Sequence, residues 1–120
     1  MQELTHYIGG QHVKGTSGRF ADVYNPATGE VQAKVPLANA EEMAQAVAIA
    51  AKAQPAWAAV NPQRRARVMM AFVGLLNRDM DKLAEALSRE HGKTLPDAKG
   101  DVIRGLEVVE YCIGAPQLLK

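Results

Sequence analysis

The chain of 120 residues has one cysteine, Cys112. A single thiol cannot close an internal disulfide, which fits a reducing compartment. It has almost no net charge, +1 from 14 Lys and Arg against 13 Asp and Glu. Global electrostatics therefore points neither to nucleic acid nor to an anionic membrane surface. Long apolar runs are missing as well. The nearest to one, "MAQAVAIAAKAQPAWAAV", is broken by Gln45, Lys52, Gln54 and Pro55 and consists mostly of alanine, too weakly hydrophobic to span a bilayer. The N-terminal "MQELTHYIGG" lacks a basic segment followed by an apolar one, so no secretory signal is read there. No G-x-G-x-x-G occurs, so these residues carry no dinucleotide fingerprint. The three histidines, His6, His12 and His91, have no Cys or acidic cluster at ligand spacing, and no metal site is expected. Internal repeats and low-complexity linkers are absent too.

What is present is the balance of a soluble globular domain, 48% apolar and 22% charged. Its length suits one small domain with a modest core. The first part reads as β. "YIGGQHV" signals a hairpin around Gly9-Gly10, and "VKGTSGR" is a loop by composition. "FADVYNPATGEVQAKVPLA" reads as two strands joined by a turn at Asn25-Pro26-Ala27-Thr28-Gly29. Val31, Ala33, Val35 and Leu37 alternate with Gln32, Lys34 and Pro36, predicting one buried face. Pro36 cannot donate to a ladder and predicts an edge strand or a strand end.

From Asn39 the period becomes helical. Asn39 with Glu42 forms a capping box, and Met43, Val47, Ala50 and Trp57 mark one helix face. Pro55 predicts a kink or an end near Gln54. Asn61-Pro62 starts a second helix, with Val68, Met69, Phe72, Leu75 and Leu76 at helical spacing. Asp79 or Asp81 caps a third helix bearing Leu83 and Leu87, and Gly92 stands where a left-handed C-terminal residue belongs. Thr94-Leu95-Pro96 opens a fourth. The chain closes on Leu118 and Leu119 without a polar tail, which reads as a cut from something longer.

Several residues invite chemistry. "HGKT", His91 to Thr94, resembles the end of a phosphate-binding loop. The required glycine is replaced by Leu87 and the preceding segment is helical, so it reads as a helix cap and loop. Arg64, Arg65 and Arg67 in the first turns of the second helix oppose its dipole, which hints at acidic partners in the fold or beyond it. No aromatics interleave with them, which argues against a nucleic-acid patch. Cys112 lies well inside the fourth helix, roughly 80° around it from Arg104 and with no histidine nearby in sequence, and reads as a buried structural cysteine. Arg104 is different. Val102, Leu106, Val109 and Ile113 form one apolar stripe, and Arg104 points away from it among Val108 and Tyr111. Apolar groups on two opposed faces predict a helix packed on both sides. A guanidinium held there needs an anion. Asp101 or Glu107 can supply it; so can a ligand carboxylate, which suits arginine's planar fork. Gly105 beside it suggests close approach of a backbone or a ligand.

The segments "NPATGEV", "NPQRRARV", "LSREHGKTL", "DVIRGLEVVE" and "GAPQLLK", in this order and spacing, resemble the N-terminal portion of an aldehyde dehydrogenase, and specifically of the CoA-acylating methylmalonate-semialdehyde dehydrogenases. The resemblance covers nearly the whole chain and about a quarter of such an enzyme. It implies an α+β segment, with antiparallel β hairpins in residues 1–38 and about four helices in 39–120. This segment would be the N-terminal part of the NAD-binding domain of the α/β aldehyde dehydrogenase fold, without the Rossmann core or the catalytic domain. It implies an enzyme that converts malonate or methylmalonate semialdehyde, NAD and coenzyme A to acetyl-CoA or propionyl-CoA with loss of CO2. The nucleophilic cysteine, the oxyanion-hole asparagine and the NAD site lie outside these residues, and Cys112 does not match the nucleophile. Arg104 matches the arginine that holds the substrate carboxylate. Tyr111-Cys112 departs from the expected phenylalanine and small residue. The partners implied are the small-molecule semialdehyde and the remainder of the same polypeptide, with neither nucleic acid nor membrane, in a cytoplasmic homo-oligomer. The segment alone is expected to be inactive. The rival readings are a different NAD(P)-dependent aldehyde dehydrogenase, or a stand-alone helical interaction domain with Leu118 and Leu119 on its partner surface.

Overall fold

A computed structural model describes residues 2–120. The chain forms two compact units, Met1–Ala59 and Val60–Lys120.

The first unit contains β1 (Gln2–Glu3), β2 (His6–Ile8), β3 (Gln11–Val13), β4 (Phe20–Tyr24), β5 (Val31–Pro36) and α1 (Ala40–Ala58). β2 and β3 form the expected hairpin, pairing Ile8 with Gln11. Gly9 and Gly10 have φ of 62° and 79°, the doubly positive pair that a tight two-residue turn needs. β4 and β5 pair antiparallel across the Asn25–Gly29 turn, which is closed by the Gly29 amide donating to the Asn25 carbonyl at 2.8 Å. β1 adds a parallel pairing to β5, Gln2 opposite Ala33. Its two residues carry no periodic signal, and the sequence did not reveal it.

β5 departs from strict alternation. It is the central strand of the order β1-β5-β4, so it is not an edge. Ala33 and Pro36 are buried, Gln32 and Lys34 are half-buried, and Leu37 is exposed. The cause is local. Pro36 ends the strand opposite Phe20, and the loop at Gly15 crosses it so closely that a Cβ on Gly15 would stand 2.8 Å from the Pro36 Cβ.

α1 begins at the capping box read from the sequence. Asn39 Oδ1 accepts from the Glu42 amide at 2.8 Å, and Glu42 Oε2 accepts from the Asn39 amide at 2.9 Å. The other oxygen, Oε1, accepts from the Thr16 amide at 2.6 Å, binding the 14–19 loop to the helix start. Glu42 is thus a buried carboxylate with two backbone donors. The Asn39 and then the Thr16 hydrogen bonds hold its carboxyl below the ordinary value, outweighing burial, and His6 adds to the effect. Of the kink or end expected near Gln54, the end does not occur: α1 runs through Pro55 to Ala58. Pro55 lies in the last turns, and the Ala59 amide closes onto the Pro55 carbonyl at 3.1 Å, so the helix continues around the ring. The face of Met43, Val47, Ala50 and Trp57 is exposed in this chain.

The second unit contains α2 (Pro62–Arg78), α3 (Met80–His91), α4 (Leu95–Ile113) and a 3₁₀ turn, Ala115–Leu119. Asn61 caps α2 by accepting from the Gln63 amide at 2.8 Å. Asp79 ends α2 and precedes α3, but its carboxylate binds Arg78 and Lys82 instead of a helix amide. Those cations hold the carboxyl below its usual range, Arg78 foremost. α4 packs against both α2 and α3. The buried side chains are small, Ala66, Ala84 and a fully covered Ala98, with Leu106; alanine lets helix backbones approach closely. Gly92 ends α3 in the left-handed region at φ 83°, as expected.

Two outcomes follow. Glu42 has a lower carboxyl pKa in the fold than in the open chain, so it stabilises the fold at neutral pH and loses that effect as pH falls from its ordinary value of 4.5 down through its lower value in the fold. The stability gap between the parent and Glu42→Gln, read from urea unfolding midpoints, is widest at neutral pH and narrows in acid; a gap independent of pH refutes this. At Gly105, an added Cβ meets nothing within 4 Å. Gly105→Ala therefore gains about 1 kcal/mol of helix propensity, and a peptide spanning residues 94–114 gains helical circular dichroism. A loss of helicity would refute it.

Candidate functional site

The loop after α3 and the first half of α4 place three charged groups together. Gly92 reverses the chain, with its amide bonded to the Ser88 carbonyl at 2.7 Å. The Ser88 hydroxyl then donates to the Lys93 carbonyl at 2.7 Å. These two bonds fix the Lys93 backbone at the foot of α4. The Lys93 side chain, 19% exposed, reaches over the first turns of α4 to Asp101 Oδ2. The other oxygen, Asp101 Oδ1, accepts from Arg104 Nη2 one turn later. Asp101 therefore gives one oxygen to each of two cations.

Arg104 is 69% exposed at its side chain. It meets the protein through Nη2, and Nη1 passes above Gly100, where an added Cβ would sit 3.9 Å away. Of the two intramolecular anions open to it in the sequence, the structure selects Asp101; Glu107 is exposed and does not pair with it. The stripe of Val102, Leu106, Val109 and Ile113 is buried or half-buried as expected. The opposite face is not packed in this chain: Val108 is 63% and Tyr111 75% exposed. Arg104 thus stands on an open face with Nε and Nη1 available.

Cys112 corrects the sequence reading. Its thiol is free and exposed, not buried. It lies near the C-terminal end of α4 beside exposed Tyr111, outside the half-buried stripe, because Ile113 takes the inward position. No histidine or cation in the described hydrogen bonds and ion pairs activates it.

The other candidates do not join this cluster. "HGKT" is the cap and loop described above, and its lysine is tied to Asp101. Arg64, Arg65 and Arg67 form no ion pair among the described residues, and the Arg65 Nε is buried without a partner. His12 Nδ1 bonds the Thr5 hydroxyl at 2.9 Å and its ring meets Tyr7 edge-on at 5.3 Å. His6 Nε2 is enclosed near the Glu42 carboxylate without a hydrogen-bond partner. Lys93 is the residue of the cluster that sequence reading met only within "HGKT" and left without a partner. It stands eight positions before Asp101 with a loop-to-helix junction between them, so no helical spacing announces the contact.

Known proteins resemble this chain along its whole length. A Sinorhizobium meliloti protein described as a "putative methylmalonate-semialdehyde dehydrogenase", whose crystal structure holds NAD, is 62% identical and superposes with a TM-score of 0.96, over all of this chain and 24% of its own. The methylmalonate-semialdehyde dehydrogenase of Oceanimonas doudoroffii is 42% identical with a TM-score of 0.95, over the same shares. Malonate-semialdehyde dehydrogenase of Pseudomonas aeruginosa is 45% identical over 120 residues, again 24% of its length. This chain spans about a quarter of these relatives. The family model described as "Aldehyde dehydrogenase family" matches residues 12–120, and the chain, an α+β segment of that fold, belongs to the aldehyde dehydrogenase family.

Proposed function

We propose that this chain is the N-terminal part of the NAD-binding domain of a CoA-acylating malonate or methylmalonate semialdehyde dehydrogenase, and that Arg104 holds the carboxylate of the semialdehyde. The observation that carries the reading is the half-engaged guanidinium. Arg104 is anchored through one nitrogen and keeps Nε and Nη1 open on an exposed helix face. The two edges of a guanidinium that receive a carboxylate in a bidentate arrangement, Nε–Nη2 and Nη1–Nη2, share Nη2, whose second hydrogen completes one of them beside the hydrogen given to Asp101. The names and the high identity of the relatives support the substrate class.

The chain's own contribution is binding and orientation. A carboxylate gripped at a fixed point sets the distance of the aldehyde carbon from groups elsewhere in the enzyme. No residue of this chain is proposed to hold NAD. The β5-to-α1 connection is a strand-to-helix turn, but it reads Leu37-Ala38-Asn39, without glycine. Its helix start is occupied by the Asn39 side chain and the Glu42 carboxylate, which would repel a pyrophosphate. The nicotinamide cofactor supplies the hydride acceptor, coenzyme A takes the acyl group, and the residues for both belong to the remainder of the polypeptide. The full enzyme is proposed to act on this small-molecule semialdehyde as a homo-oligomer.

In the full-length enzyme, Arg104→Ala lowers kcat/KM for malonate semialdehyde by about 10²-fold, the worth of charged hydrogen bonds, and changes propanal oxidation little. Equal losses on both aldehydes reject the carboxylate role. The 120-residue chain alone, mixed with NAD, coenzyme A and malonate semialdehyde, forms no NADH; clear formation would overturn the division of labour.

A further inference from the structure

The Glu90-His91-Gly92-Lys93 element has no chemistry in the reading above, yet it ends on the lysine that holds Asp101. We infer that Lys93 is a positioning residue for substrate recognition: by engaging one oxygen of Asp101, it keeps Asp101 from closing on Arg104 with both. The inference rests on Arg104 as the carboxylate anchor.

A carboxylate three residues before an arginine on one helix can meet the guanidinium with both oxygens. Such a pair is complete and neutral, and a substrate carboxylate would have to displace it. Here Lys93 Nζ takes Oδ2, so Asp101 has only Oδ1 to offer, and it meets Arg104 at Nη2 alone. Two cations share one anion, leaving an excess positive charge on the exposed face. The lysine is well placed for this task. Its side chain is only 19% exposed, its backbone is tied to α3 through Ser88, and Gly92 sets the turn that aims it. Asp101, 32% exposed, is more shielded than Arg104, so the Lys93 contact is less screened by water than the arginine it regulates. Arg104 is thereby oriented and still hungry for an anion.

The test is a set of variants in the full-length enzyme, comparing KM for malonate semialdehyde with KM for propanal. Lys93→Gln raises the ratio of the two about tenfold at nearly constant kcat. In an Asp101→Asn background the same substitution shifts the ratio less than about twofold, because the neutral side chain no longer competes as an anion. Lys93→Arg, which keeps a cation at the position, restores the parent ratio. An unchanged ratio in Lys93→Gln overturns the inference, and so does an equal shift in both backgrounds, which would mean that Lys93 acts on the substrate directly. If neither Lys93 variant folds, as read from thermal unfolding, the lysine is structural and the inference falls. Arg104→Ala separates the two levels. If it shifts the ratio while Lys93→Gln does not, only the positioning role is lost; if it too leaves the ratio unchanged, the anchor itself is wrong.

Discussion

One carboxylate organises the candidate site. Asp101 joins the loop after α3 to the open face of α4, with Lys93 on one oxygen and Arg104 on the other. Three requirements meet there. The loop must end in a left-handed residue, which Gly92 provides without steric cost. The lysine must be held near the foot of α4, which Ser88 ensures. And α4 must present Asp101 and Arg104 on neighbouring turns, which the helical repeat supplies.

The first unit uses the same device with a different donor. Glu42 accepts from the amides of Asn39 and Thr16, so one carboxylate both starts α1 and fixes a loop 26 residues earlier in the chain. In both units a carboxylate divides its two oxygens between separate segments. Such anchors suit a chain whose buried side chains are mostly alanines. Small residues permit close backbone contact but bury little apolar area each, so polar links between segments carry more of the definition of the fold.

Much of the apolar surface that helical patterning assigns to packing is open in this chain. Met43 and Val47 on α1, Val108 and Tyr111 on α4, and Leu118 and Leu119 near the end are all exposed. The chain spans about a quarter of its relatives. Helical patterning assigned the second face of α4 and the thiol of Cys112 to packing, and among the described residues no segment covers them.

Local rules made most elements legible. The Gly9-Gly10 hairpin, the Asn25–Gly29 turn, the Asn39–Glu42 box, the Asn61-Pro62 start and the Gly92 cap depend on backbone preferences of a few adjacent residues, and each is present in the structure. Helical spacing likewise offered Asp101 as a partner for Arg104, alongside Glu107. The parallel pairing of β1 with β5, the burial of Pro36 under Gly15, the passage of α1 through Pro55 and the reach of Lys93 to Asp101 were decided by tertiary structure. Each depends on what a distant segment or the next turn supplies, which no local period encodes. The sequence by itself determined where the capped helices start and where the glycine turns fall, because those choices are settled within a turn or two of backbone. Only the tertiary structure decided that Asp101 is shared, because sharing requires a third group brought from outside the helix.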